Sequence, residues 1–261
     1  MQILRLAFKF LIYWFRSFRL HGLHSPFIYD LHQNVIRHNG QFHAFTPIES
    51  LRKRLLKSNK KIYITDLGAG SKSNAGNIRT IKEIVQRSAK APKYAQFLFR
   101  LVNYYQPQTI LELGTSLGLT TAYLAAARQK AKVYTIEGCP NIAAQARFNF
   151  QDLKLKNISL EAGNLDSTLA PLLQQLPAVD LVFFDGNHRY APTMHYFSLC
   201  LAKHTEHSIF VLDDIYWSRE MEEAWREICQ HPAVTISVDL FQVGLLFFRK
   251  KQPKQHFTIW Y

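Results

Sequence analysis

The chain has 261 residues, long enough for one or two domains, and its 48% hydrophobic content, with 19 Phe, 12 Tyr and 4 Trp, can fill a sizeable core. With 20% charged residues, 11 Gly and 10 Pro it is neither a disordered chain nor a collagen-like repeat. The formal net charge of +13 is uneven: residues 1–93 hold 17 basic and 4 acidic groups and residues 94–261 hold 15 of each, so the first third should face something anionic or keep a solvated basic surface.

Residues 1–20, MQILRLAFKFLIYWFRSFRL, read as a helix. Arg5, Lys9, Arg16 and Arg19 fall within about 80° on a helical wheel, leaving a broad apolar remainder. The cations interrupt the apolar run too often for a secretory signal or a membrane span. The helix either lies in a membrane interface with its basic stripe toward the headgroups, or packs on the protein body or on a second subunit of a homodimer; packing is the preferred reading. HGLHSPF (21–27) contains Pro26 and reads as a loop, and His21 and His24 lack the carboxylates or thiols that would make them metal ligands. Helical spacing appears at 48–58, a strand at 61–66, and amphipathic helices at 77–89 and from 91. Residues 1–93 thus form a basic, mostly helical N-terminal cap.

From residue 109 short apolar runs alternate with helices: TILELG, KVYTIEG, NISLEAGN, VDLVFFDG and SIFVLDD, then VTISVDLF and GLLFFRK as a hairpin around Gln242–Gly244. This pattern predicts an α/β domain over 94–261, a Rossmann-like doubly wound sheet of about seven strands with a terminal antiparallel hairpin. Ligands bind such sheets at the carboxyl ends of the strands, where the polar residues of this chain gather. Cys139, Cys200 and Cys229 form no disulfide framework and no CxxC pair, which suits a reducing, cytoplasmic compartment.

The first turn reads Glu112-Leu113-Gly114-Thr115-Ser116-Leu117-Gly118. An acid opens it and its glycines are four apart, unlike the GxGxxG turn that admits a pyrophosphate. Glu137-Gly138 ends the second strand, where a carboxylate can accept hydrogen bonds from both ribose hydroxyls. These residues resemble the class I S-adenosylmethionine-dependent methyltransferases over roughly residues 94–250. The resemblance implies that Glu112, Gly114, Thr115, Ser116 and Gly118 hold the methionine part of S-adenosylmethionine, Glu137 and Gly138 the ribose, and Gly163 and Asn164 the adenine side, with Asp185 also lining the cofactor. A second glycine turn, Asp66-Leu67-Gly68-Ala69-Gly70-Ser71, is followed by no strand ending in an acid and reads as part of the cap, with Ser71 and Lys72 toward substrate.

The fourth strand ends Asp185-Gly186-Asn187-His188-Arg189-Tyr190 and the fifth Asp213-Asp214-Ile215-Tyr216-Trp217-Ser218. Three carboxylates at neighbouring strand ends repel unless a cation lies among them, and oxygen ligands suit Mg²⁺ or another hard divalent ion. The pattern is similar to catechol-type, metal-dependent O-methyltransferases, which implies Asp185, Asp213 and Asp214 as metal ligands. The Asp-Gly-x-His-x-Tyr run is similar to bacterial sugar and macrolide O-methyltransferases. His188 stands where the catechol type carries a lysine, and Asp185 and His188 are the catalytic expectations. A hydroxyl bound at the metal would lose its proton to His188 and attack the sulfonium methyl in line. The whole chain also resembles a bacterial, Bacteroidetes-type group of class I methyltransferases, which adds no acceptor. The expected partner is a small hydroxylated molecule. The alternatives are an RNA or protein methyltransferase gripping through the basic third, although no N-P-P-Y-like tetrad follows the fourth strand, or a membrane-associated binding protein without turnover at the inner face of the membrane.

Overall fold

The structure, a computed structural model, describes residues 2–17, 25–65 and 78–261. The 66–71 glycine turn, Lys72, His21 and His24 lie outside the described residues. Helices α1 (Gln2–Arg16), α2 (Pro26–Leu31) and α3 (Phe45–Leu55) come first, α2 running into a π-helical turn at His32–Ile36. A small ribbon follows, β1 (Lys61–Tyr63) antiparallel to β2 (Ile78–Thr80), then α4 (Ile81–Ser88) and α5 (Pro92–Tyr105).

Strands and helices then alternate: β3 (Thr109–Leu113), α6 (Leu119–Ala127), β4 (Lys132–Glu137), α7 (Pro140–Asp152), β5 (Ile158–Ala162), α8 (Leu165–Gln175), β6 (Leu181–Phe184), α9 (Tyr190–Leu201), β7 (Ile209–Asp213) and α10 (Arg219–Gln230). The chain closes with β8 (Ile236–Asp239), β9 (Val243–Phe247) and β10 (Gln255–Thr258). The larger sheet has eight strands in the order β10-β8-β9-β7-β6-β3-β4-β5. Strand β9 runs antiparallel to β7 and β8, while β3–β4, β4–β5, β6–β7 and β8–β10 are parallel pairs. Strands β6, β7, β8 and β9 are buried at every position, as their continuous apolar runs require of a sheet covered on both faces.

Three local expectations change. Pro26 opens α2 instead of sitting in a loop, because proline at the first helical position gives up only an amide that has no helical partner there. The helix expected from residue 77 starts at Ile81, since Thr80 and Glu83 close a capping box and residues 78–80 pair with β1. The eighth strand, β10, lies beyond the hairpin expected to end the sheet; its Gln-His-Phe-Thr sequence is short, has Phe257 as its one apolar residue and carries little strand signal.

By internal contacts the chain forms two compact units, Met1–Arg37 with Leu172–Tyr261, and His38–Pro171; residues 93 and 94 both fall inside the second. The core of the second gathers Phe45, Leu51, Ile84, Phe99 and Tyr123, with the Tyr123 hydroxyl donating to Glu49 Oε1 at 2.8 Å. In the first unit α1 packs on the protein body, and its stripe points the other way from the interfacial expectation. Arg5 and Lys9 face inward and reach Glu222 at 3.2 and 2.5 Å, and Arg5 also donates to the Tyr216 carbonyl at 2.7 Å. Tyr13 is buried, donates to the Ile259 carbonyl at 2.5 Å and accepts from the Tyr261 amide at 3.1 Å. No described helix is long and apolar enough to cross a membrane.

Replacing Tyr13 with Phe removes both contacts and leaves polar backbone beneath α1. It should lower unfolding stability by about 1–2 kcal/mol. Urea unfolding followed by tryptophan fluorescence measures this; an unchanged midpoint would mean that these bonds do not hold the helix.

Candidate active site

Unit His38–Pro171 contains the turn that follows β3. Gly114 and Gly118 have φ of 104° and 78°, and Ser116 between them has φ of 48°. This is left-handed backbone that glycine adopts without steric cost. A side chain at Gly118 would also collide with Phe150, whose Cε1 would lie 2.3 Å from the added Cβ. The turn is propped by Asn149, whose Nδ2 donates to the Leu117 carbonyl at 2.8 Å.

The strained Ser116 directs its amide at Glu137. Oε2 of Glu137 accepts from the Ser116 N–H at 2.8 Å and Oε1 from the Cys139 N–H at 2.9 Å. Each oxygen keeps a further lone pair, so the carboxylate can accept from two hydroxyls side by side. Burial pushes the Glu137 carboxyl above the usual carboxylate range, opposed by the Cys139 and Ser116 amides that favour its charged form. Gly138 lies at the bend between this carboxylate and α7. Gly163 donates its amide to the Glu137 carbonyl at 2.9 Å, which brings the β5 turn alongside. Asn164 begins α8 as its cap: its Oδ1 accepts from the Asp166 amide at 3.1 Å.

Glu112 and Thr115 are placed differently from the ligand-facing expectation. Glu112 is fully buried and its Oε2 accepts from the Thr121 and Thr135 hydroxyls, Thr135 being its partner across the β3–β4 pair. The Thr115 hydroxyl shares a 2.6 Å bond with Thr135. Both side chains therefore tie β3, β4 and α6 together beneath the turn, and what the turn offers a ligand is backbone.

The unit built from Met1–Arg37 and Leu172–Tyr261 holds a second cluster. After β6 the chain turns at Asn187, φ 53°, whose Oδ1 accepts from Arg189 Nε at 3.0 Å and whose Nδ2 donates to the Tyr196 hydroxyl at 3.4 Å. The turn folds His188 back, and its Nε2 lies 3.5 Å from Asp185 Oδ1. Asp213, buried at the end of β7, completes the group: ligand atoms of Asp185, His188 and Asp213 all lie within 4.8 Å of one another. Among the described residues this is the one histidine–carboxylate or cysteine cluster of three or more with metal-holding geometry.

Two of the expected metal ligands, Asp185 and Asp213, thus stand together with His188; Asp214 is not among the three residues of this cluster. Asp214 takes φ of 53°, its amide donates to the Gln242 carbonyl at 2.7 Å, and its carbonyl accepts from the Trp217 amide at 2.8 Å. It shapes the exit from β7, and the cap of α10 is Ser218, which accepts from the Met221 amide at 3.0 Å. Sequence reading also missed Cys139 as the second anchor of Glu137. Pro140, at the first helical position, marks a helix start two residues beyond the carboxylate and is the signal that could have found it.

A cofactor whose ribose hydroxyls donate to Glu137 favours its charged form. Because burial raises this carboxyl, affinity for S-adenosylmethionine should begin to fall above pH 4.5 on acidification, by up to about tenfold per pH unit below the raised value. Glu137→Gln should bind at least tenfold more weakly and without that pH dependence. Calorimetric titration of both proteins checks this, and equal affinities would detach Glu137 from the cofactor.

A family model described as a methyltransferase domain matches residues 111–215. No curated protein matches the chain. Among solved structures, the SAH-bound methyltransferase PaMTH1 of Podospora anserina is 14% identical over 82% of this chain and 92% of its own, with a TM-score of 0.61. The SAM-bound O-methyltransferase TomG of Streptomyces achromogenes, involved in tomaymycin synthesis, is 16% identical over 89% of this chain and 100% of its own, with a TM-score of 0.57. An O-methyltransferase of Bacillus cereus in complex with SAH is 15% identical over 81% and 94%, with a TM-score of 0.55. At these identities the likeness is one of fold. The chain carries a segment that matches a methyltransferase domain over residues 111–215, and it shares the fold of these solved structures.

Proposed function

We propose that this chain transfers the methyl group of S-adenosylmethionine to a hydroxyl oxygen of a small molecule. The observation that carries the choice of oxygen is the Asp185–His188–Asp213 cluster, which joins an imidazole to two carboxylates. The similar fold of two O-methyltransferases, TomG and the Bacillus cereus enzyme, supports the same reading. Glu137 accepts the ribose hydroxyls, the Gly114–Gly118 turn takes the methionine part against its backbone, and Gly163 and Asn164 flank the adenine.

His188 Nε2 receives the acceptor's hydroxyl proton while Asp185, 3.5 Å away, stabilises the imidazolium that forms. The oxygen then forms its bond to the methyl carbon as the carbon–sulfur bond breaks, and S-adenosylhomocysteine leaves. Little covalent assistance is needed beyond positioning, because the sulfonium is already an activated donor. Three free cysteines, Cys139, Cys200 and Cys229, suit a reducing, cytoplasmic setting.

A second reading rests on the same cluster. Asp185, His188 and Asp213 fit a divalent cation, and the imidazole shifts the preference from Mg²⁺ toward Mn²⁺, Fe²⁺ or Zn²⁺. Such a cation, when bound, supplies Lewis-acid activation of the acceptor hydroxyl. One imidazole nitrogen cannot both ligate and receive the proton, so the two readings separate on chelation.

The test is methyl transfer to a panel of hydroxylated small molecules, with and without EDTA, by wild type and His188→Ala. With His188 as base, EDTA leaves turnover intact and His188→Ala lowers it about 100-fold or more while S-adenosylmethionine still binds. Loss on EDTA treatment with recovery on added Mn²⁺ selects the cation reading. Turnover indifferent to both removes the cluster from the reaction.

A further inference from the structure

We propose that α1 docks the protein on an anionic lipid surface. Its ion pairs and Tyr13 bind one side of the helix to the protein body, which leaves the opposite side outward. Leu4, Ala7, Phe8, Leu11, Trp14 and Phe15 are all exposed, Leu4 at 75% and Phe15 at 77%. At 100° per residue they fill an arc of roughly 120°, centred opposite Arg5, Lys9 and Tyr13. Not one of them is polar. A soluble helix normally buries its apolar arc and wets its charged one; here Arg5 and Lys9 turn toward the body while the apolar arc faces out.

The occupant follows from area and charge. The six side chains expose on the order of 600 Å² of apolar surface, at the upper end of what a monomer tolerates. Each partner of a stable protein pair buries about 800 Å². A second copy would meet this single convex helix along one seam and cover only part of the patch, whereas a lipid interface closes around the whole arc. Residues 1–29 contain no Asp or Glu, and Arg16 in the last turn is exposed. Arg5, Lys9 and Arg226 share the single Glu222 carboxylate, while Glu220 and Glu227 of the same helix are taken by Tyr190. The first 29 residues as a whole are cationic and so attract anionic headgroups, with Arg5, Lys9 and Arg16 on the side of the helix away from the patch. Trp14, an aromatic with a polar edge, suits the headgroup level.

Fixing α1 on the body beforehand removes the ordering cost that an unfolded amphipathic segment meets when it binds. The apolar face is presented without local refolding, so docking should not change the helical content of the protein.

The test is co-sedimentation of the full chain with unilamellar vesicles, either phosphatidylcholine alone or phosphatidylcholine mixed with phosphatidylglycerol, alongside light scattering of the lipid-free protein. The wild type should be monomeric and should pellet with the mixed vesicles, more weakly with neutral ones. Phe8→Ser/Phe15→Ser should reduce partition at least tenfold at an unchanged melting temperature, and Leu4→Asn/Leu11→Asn should reproduce the loss. The proposal is overturned if the wild type stays in the supernatant, if neutral vesicles bind it equally, or if both variants partition like the wild type. A lipid-free dimer dissolved by these substitutions would also overturn it, because a second copy would then be the occupant.

Discussion

One carboxylate organises the strand ends of the unit His38–Pro171. Glu137 ends β4 and is held at both oxygens by backbone amides, one from the turn after β3 and one from the start of α7. Those bonds fix three separate segments at a common point. They also require Ser116 to adopt left-handed backbone, with Gly114 and Gly118 on either side, so the glycine spacing of the turn is a consequence of where Glu137 must be reached from. The buried Glu112–Thr121–Thr135 bonds beneath keep β3 and β4 in the register that makes this possible.

The parts of this arrangement that follow from local chemistry were legible in the sequence. Apolar runs ending in an acid or glycine mark β3, β6 and β7, whose residues are almost all buried, because a sheet covered on both faces admits little else there; β5 and β10 are exposed or half-exposed along their length. The glycines at 114 and 118 could be read as a tight turn, and the acid at 137 as the end of the second strand, from spacing alone. The orientation of Glu112 could not. An acid one residue before a strand end looks the same whether it faces a ligand or a pair of threonines, and Thr135 lies 23 residues away on another strand. Asp214 lies outside the Asp185–His188–Asp213 cluster, and the left-handed φ it adopts accompanies the bond from its amide to the Gln242 carbonyl, a contact that local sequence does not announce.

The N-terminal helix shows the limit from the other direction. Periodicity identified its two faces correctly but not which one meets the protein. The deciding residue, Glu222, is more than 200 positions away and sits on a helix whose own pattern says nothing about α1. A cationic stripe finds its partner only in the folded chain, and that pairing converts an ordinary-looking basic amphipathic segment into a fixed ridge with its apolar side out. The same α1 contacts reach Tyr216, on the loop that leaves β7 just beyond Asp213, so the helix and the acid–histidine cluster share one supporting segment within their unit.

The most direct measurement of the central claim is a crystal structure of the protein grown with saturating S-adenosylhomocysteine. The account predicts a nucleoside whose two ribose hydroxyls lie within about 3 Å of the Glu137 carboxylate oxygens, with the amino-acid tail along the 114–118 backbone. A protein that crystallises without the nucleoside at Glu137, or that instead accepts a nicotinamide dinucleotide with its pyrophosphate on that turn, would contradict it.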